Sequence, residues 1–272
     1  MKALQDVERT RDGLLRQDRE RGVSSLLDYA ESLAAEHAQT ADLEQRKARG
    51  QFFTPQEVAR FMASLFRIKG ERISVLDPGA GIGILTAAFC ERLLDLRDKV
   101  RLSITAYEND TALLPHLWKV LRKCEAVLGE RGHDVTFNVL EDDFILKNAK
   151  FFGKDTPSLW ESERPTFDYI ISNPPYYKLM AASRHARMMK ELDLGQPNVY
   201  AFFMALSLQL LKQGGEMAFI TPRSFCSGLY YKKFRGWLLE NAVFSRIHVF
   251  ESRNEVFEHE SVLQENIIFK II

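Results

Sequence analysis

The run Ile73-Ser74-Val75-Leu76-Asp77, followed at once by Pro78-Gly79-Ala80-Gly81-Ile82-Gly83, constrains this chain more than any other stretch. A short β-branched run ending in an acid and a glycine turn, and then an apolar segment to about Leu94, predicts strand, tight turn and helix. That unit opens an α/β sheet. Glycines at alternate positions let the backbone of such a turn pass close to a ligand at the helix N-terminus. A dinucleotide fingerprint would place a small residue at position 84, where this chain has Ile84, and has no use for an acid before the turn.

The rest of the chain repeats the alternation. Strands are predicted at Leu102–Tyr107, about Val135–Leu140, Phe167–Ser172, Glu216–Thr221, Phe244–Phe250 and Gln264–Ile271. Helices are expected at about 55–66, 111–128 and 198–211, the last closed by a C-cap at Lys212-Gln213-Gly214-Gly215. The expected fold is a seven-stranded, mostly parallel α/β sheet of Rossmann-like type with helices on both faces. The last two strands are close enough for an antiparallel hairpin.

Within that frame several residues suit a nucleoside cofactor. Asp77 and the turn Gly79, Ala80 and Gly81 suit the amino-acid end of S-adenosylmethionine, although a generic glycine turn gives the same pattern. Glu108, one strand along, is placed to catch ribose hydroxyls. Asp143 suits an adenine amino group and Phe144 its ring; a surface turn beside a core Phe reads the same way. Thr54 is expected to cap a helix that begins at Pro55, with Glu57 completing Thr-x-x-Glu and Phe53 stapling Val58. At a helix N-terminus Thr54 would also bind an anionic group.

Asn173-Pro174-Pro175-Tyr176 follows a buried strand. Two prolines stiffen the turn and leave carbonyls unpaired. The Asn173 oxygen and the Pro174 carbonyl would accept both hydrogens of a delocalised amino group, while Tyr176 stacks on the ring. A proline-rich turn beside a half-buried Tyr is the bland alternative. Two acid-free windows flank this turn: 178–190, with Lys178, Arg184 and Arg187, and 222–239, with Arg223, Lys232 and Lys233. They are expected to contact DNA phosphates, though basic solvated faces are common.

Composition narrows the remaining choices. The chain has 272 residues, 46% hydrophobic, with formal net charge zero. A neutral chain is no wholesale polyanion binder, which leaves local patches. Apolar runs stop well short of the ~20 residues that cross a bilayer, and a cytoplasmic protein is expected, with no membrane partner. Cys90, Cys124 and Cys226 lack metal-ligand spacing, so no metal is expected. Residues 1–49, rich in both charges, read as a helical extension, and 50–272 as the catalytic domain.

Gly50–Pro55, Val75–Gly83, Tyr107-Glu108, Asp143-Phe144, Asn173–Tyr176, Asn198–Tyr200 and Val262–Asn266, in that order, resemble the motifs of gamma-arrangement DNA N6-adenine methyltransferases, in particular restriction-modification methylases of the PstI and BsuBI kind. The resemblance implies a class I methyltransferase fold and S-adenosylmethionine held by Thr54, Asp77, Gly79, Glu108, Asp143, Phe144 and Asn173. It further implies double-stranded DNA whose flipped adenine meets Tyr176 and, on its other face, Phe257. Such methylases carry a target-recognition region after the last catalytic strand. It is not expected within these residues, so recognition would come from downstream sequence or from a subunit in trans. Methylation of RNA bases or protein glutamine, and a non-catalytic cofactor-binding subunit, are the competing readings.

Overall fold

Alternating side chains decide how the sheet is covered. In β1 (Arg72–Asp77), Ile73 and Val75 face one hydrophobic cluster while Leu76 faces a second. In β5 (Leu211–Pro222), Met217 and Phe219 enter the second cluster and Ala218 and Ile220 the first. Both faces are therefore buried, as the near-continuous apolar runs require. The computed structural model describes residues 25–40, 52–151, 164–177, 179, 183–191, 198–250 and 265–272.

Among the described residues there is one seven-stranded sheet, order β3-β2-β1-β4-β5-β7-β6. Its further strands are β2 (Arg101–Tyr107), β3 (Asp134–Leu140), β4 (Phe167–Ser172), β6 (Phe244–Val249) and β7 (Asn266–Ile271). β1 to β5 pair in parallel, and β7 runs antiparallel to both β5 and β6. Strand order reverses between β1 and β4, the switch point at which open α/β sheets form their crevice.

Helices α1 (Leu26–Thr40), α2 (Gln56–Ser64) and α3 (Ile84–Leu94) pack into the first cluster through residues such as Leu27, Met62 and Phe89. Helix α4 (Leu114–Glu130) lies beside α3. The second cluster is closed by α5 (Phe144–Asn148), α7 (Val199–Leu210) and α8 (Lys232–Asn241); α6 spans Arg184–Glu191. Ser25 fixes α1 at its start. Its hydroxyl binds the Glu91 carboxylate, which also accepts the Leu27 N–H at 3.0 Å.

Two local expectations are corrected. Gly214 and Gly215 do not cap α7: Leu211 is its extended C-cap and already begins β5. Gly214 takes φ +74° within the strand, where β4 and β5 also shift register between Phe167 and Tyr169. Thr54 does not cap α2, whose N-cap is Pro55 without a side-chain bond. Its hydroxyl has a different partner. No described helix is long and apolar enough to cross a membrane.

Candidate active site

The C-terminal ends of β1, β2, β3 and β4 surround a cavity of about 500 Å³. Gly79 and Gly81 from the turn after β1, Glu108 after β2, Asp143 and Phe144 after β3, and Asn173, Pro175 and Tyr177 after β4 all line it. A smaller cavity of about 40 Å³ adjoins it, with Phe52, Phe53, Gly79, Gly81 and Asn173 common to both and Thr54 and Ala80 on its wall.

The glycine turn is tied to its neighbours. Gly81 takes φ +56° and donates its N–H to Glu108 Oε2 at 2.8 Å, while Ala80 donates to the Tyr107 carbonyl at 2.9 Å. A Cβ at position 79 would stand 3.4 Å from the Phe203 ring, and one at 81 would stand 3.8 Å from Phe53. The turn thus forms a thin backbone wall with an aromatic ring close to each of these glycines.

Glu108 Oε1 accepts the Asp110 N–H at 2.8 Å, so both carboxylate oxygens are fixed. Burial pushes its pKa above the ordinary carboxylate range, against those hydrogen bonds. Each oxygen keeps a further lone pair for a hydroxyl donor. Asp143 caps α5 through Oδ1, which accepts from Leu146 N–H at 2.9 Å. Its Oδ2 meets His185 Nε2 at 2.9 Å. Burial alone would raise this carboxyl, but the His185 and Leu146 bonds outweigh it and hold it below the usual range.

Asn173 is held on both sides of its amide. Nδ2 donates to the Phe52 carbonyl and to Thr54 Oγ1, both at 3.0 Å. Oδ1 accepts from the Tyr176 hydroxyl at 2.6 Å, and that hydroxyl also lies 3.0 Å from the Ile220 carbonyl. The half-buried Tyr176 ring packs between Phe52 (6.1 Å) and Tyr200 (6.3 Å, edge-on). Tyr177 rather than Tyr176 borders the larger cavity.

Of the sequence-predicted residues, Thr54, Gly79, Ala80, Gly81, Glu108, Asp143, Phe144, Asn173 and Pro175 line the crevice made by the two adjoining cavities, and Pro174, Tyr176, Arg184, Arg187, Lys232 and Lys233 are not among the residues that line it. Asp77 does not reach it. Its side chain is fully buried and accepts from Thr86 Oγ1 at 2.8 Å, with Oδ1 left unpartnered. Burial pushes Asp77 up to about 7, Thr86 offsetting part of the rise and the Glu108 charge adding to it. Arg223 pairs with the Glu265 carboxylate and is not a free phosphate ligand. Lys178 and Phe257 lie outside the described residues, as do Gly50 and 262–264.

Among the groups not singled out as site residues, Phe52, Tyr177 and Phe203 line the cavity, and His185 meets its wall through Asp143. Phe203 sits on the α7 segment that follows Asn198–Tyr200, and its place beside Gly79 and Phe144 makes it a wall of the cavity. Among the described residues no group of His, Cys, Asp and Glu is placed to hold a metal ion.

A seven-stranded sheet with this order, a reversed last strand and a ligand crevice at the switch point defines the class I S-adenosylmethionine-dependent methyltransferase fold. Solved structures agree on the fold. A putative class I methyltransferase from Listeria monocytogenes superposes with TM-score 0.62 at 15% identity, over 95% of this chain and 72% of that one. The DrdV–DNA complex superposes with TM-score 0.65 at 15% identity, over 96% of this chain and 31% of that one.

The chain belongs to the Eco57I restriction-modification methylase family, whose family model matches residues 85–257. It is 37% identical over 230 residues to the type II methyltransferase M.BsuBI of Bacillus subtilis, covering 84% of this chain and 44% of that protein. To M.PstI of Providencia stuartii it is 36% identical over 232 residues, covering 85% and 44%. It thus spans less than half the length of either relative.

Proposed function

We propose that this chain transfers a methyl group from S-adenosylmethionine to the N6 amino group of an adenine flipped out of double-stranded DNA, in the cytoplasm, as the methylating part of a restriction-modification system. The observation that carries the reading is the Asn173 amide. It is fixed by three side-chain and backbone partners, and Asn173 lines both cavities together with Gly79 and Gly81. The family and the type II methyltransferase relatives support the same reaction.

The residues present fit the cofactor. A crevice of about 500 Å³ has room for a nucleoside, the side-chain-free Gly79 and Gly81 let it approach the backbone, and Glu108 and Asp143 are among the residues that line it. Glu108 would accept from ribose hydroxyls, Asp143 from the adenine amine beside Phe144, and Thr54 and Ala80 would flank the amino-acid end. Buried behind the turn, Asp77 would act on that end through space rather than by contact. When bound, the cofactor supplies an electrophilic methyl group on a sulfonium.

The protein's part is polarisation and alignment. A tyrosine hydroxyl has one hydrogen, and Tyr176 has two acceptors for it: Asn173 Oδ1 and the Ile220 carbonyl. When the amine arrives, the hydroxyl turns wholly to Ile220 and frees Oδ1 to accept one N–H. The Pro174 carbonyl accepts the other, and Pro175 stiffens the turn behind it. Both bonds draw the amine nitrogen toward tetrahedral geometry, raising its nucleophilicity without a strong base. Tyr176 and Phe257 would hold the base between them, and Lys178, Arg184, Arg187, Lys232 and Lys233 would hold the DNA backbone.

The test is labelled methyl transfer to DNA, RNA and protein acceptors by wild type and Asn173→Ala. Transfer to DNA adenine alone, abolished in the variant while S-adenosylhomocysteine still binds, is expected. Labelling of RNA or protein instead, or unchanged turnover in the variant, would overturn the reading.

A further inference from the structure

Beyond Pro222 the chain leaves β5 and forms a short 3₁₀ turn, Arg223–Cys226, before α8. At its tip Leu229 is 88% exposed and Tyr230 54% exposed. An isolated exposed apolar side chain needs no explanation, but this pair is held rigidly. The Arg235 guanidinium donates to three successive parts of the turn: the Phe225 carbonyl (3.0 Å), the Ser227 carbonyl (3.0 Å) and the Gly228 carbonyl (2.8 Å). Gly228 takes φ +77° to make the bend. At the base, the Arg223 N–H donates to the Glu265 carbonyl at 2.8 Å, and Ser224 Oγ lies 2.9 Å from the Tyr200 hydroxyl.

The tip also stands in line with the site. Ser172 pairs with Phe219 across β4 and β5, so Asn173 and Pro222 emerge on the same edge of the sheet. Rings continue from one to the other: Tyr176 to Tyr200 at 6.3 Å, Tyr200 to Tyr231 at 6.0 Å, Tyr231 to Tyr230 at 4.9 Å. Lys232 and Lys233 follow directly, and the stretch 222–239 contains no acid. A stiff apolar tip on a basic stretch of sequence matches a polyanion with apolar planes inside it.

From this we infer that Leu229 and Tyr230 form a wedge that enters the DNA stack beside the target base and occupies the space it leaves, with Arg235 as the positioning residue that keeps the wedge extended. The inference rests on the DNA-methylation reading above. It adds how the base is released from the duplex. A base extruded from a stack leaves a gap that closes again unless something fills it, and an apolar side chain fills it at least expense of hydration.

The experiment uses the full-length polypeptide. Sites methylated by wild type in unmethylated phage DNA are mapped first. Duplexes carrying one such site are then made with thymine, or with an abasic position, opposite the target adenine. The pair Leu229→Ala with Tyr230→Ala is expected to lower kcat/KM on the matched duplex by about tenfold or more, and to recover to near wild type on the abasic duplex, where the base is already unpaired. S-adenosylhomocysteine affinity stays unchanged, and Leu229→Met with Tyr230→Phe keeps the matched-duplex rate. Equal loss on both duplexes, or no loss on either, would overturn the wedge while leaving the methylation reading intact. Wild type that methylates no DNA would remove that reading, and the wedge with it, before any variant is compared.

Discussion

The Tyr176 hydroxyl stands 2.6 Å from Asn173 Oδ1 and 3.0 Å from the Ile220 carbonyl, so one proton is shared between the group proposed to bind the substrate amine and the neighbouring strand. Asn173 itself is oriented from the far side, by Phe52 and Thr54. Tyr176→Phe therefore leaves Asn173 its Phe52 and Thr54 bonds but unties the turn from the Ile220 carbonyl. A fall of about tenfold in kcat, with cofactor affinity unchanged, is expected from the disturbed turn. Steady-state kinetics beside calorimetric titration with S-adenosylhomocysteine separates the two quantities, and a loss of affinity as large as the loss of kcat would refute the assignment.

Glu108 gives the opposite pattern. Its carboxylate holds the Gly81 and Asp110 N–H groups and faces the crevice. Glu108→Ala removes that brace and the proposed ribose acceptor together, so S-adenosylhomocysteine affinity should fall by about a hundredfold, in line with two charge-assisted hydrogen bonds. Glu108→Gln should recover part of it. Calorimetry on both variants checks the order.

Asp77 makes stability depend on pH. Its folded pKa of about 7 stands above the unfolded value of 3.8, so the folded state holds this proton more tightly. The contribution is fully present below pH 3.8 and is lost as pH rises through about 7. The full span is on the order of 4 kcal/mol. In Asp77→Asn the group no longer titrates. The difference in unfolding free energy between variant and wild type should shift in the variant's favour from pH 4 to pH 8, measured by urea denaturation; a difference flat across that range would contradict it.

Gly215 has no room for a side chain. A Cβ there would lie 2.9 Å from the Asp168 carbonyl oxygen and 3.0 Å from that of Lys212, and backbone oxygens do not swing aside. Gly215→Ala should destabilise by about 2 kcal/mol or more, as overpacking does. Gly214→Ala meets no atom within 4 Å and suffers only from its φ of +74°, so it should cost about 1 kcal/mol. Paired thermal melts test the ranking.

Lys270 and Glu216 form a buried pair at 2.8 Å, with Lys270 Nζ also donating to the Leu65 carbonyl at 2.9 Å and Glu216 Oε2 accepting the Arg67 N–H at 2.7 Å. Removing one partner strands the other: Glu216→Ala should destabilise by about 3 to 5 kcal/mol. Replacing both by Met should cost far less. A double-mutant cycle in urea measures the gap.

The sheet could be read from sequence because its signal is local. Ile73, Val75 and Leu76, or Phe167 to Ser172, carry the apolar runs of buried strands whatever surrounds them. The site was legible in outline for a related reason: a ligand crevice at strand ends draws its residues from the few positions directly after each strand. What could not be read were contacts set by the fold. The bonds from Asn173 to Phe52 and Thr54 join residues more than a hundred positions apart, and His185 meets Asp143 from a separate helix, α6. Thr54 carried a capping-box signal, yet Asn173 claims its hydroxyl. Gly214-Gly215 looked like a helix stop, since a C-cap and a bulge demand the same glycine freedom.

β7 lies between β5 and β6, and among the described residues β6 touches no other strand. During synthesis β6 leaves the ribosome with nothing to zip onto until residues 266–271 have followed it. Until then both strand edges stand open to pairing with other chains, including nascent copies of itself. The order of the sheet therefore makes closure of this edge a late, all-or-nothing event, and sets the interval in which a growing chain is most exposed to aggregation and to chaperones.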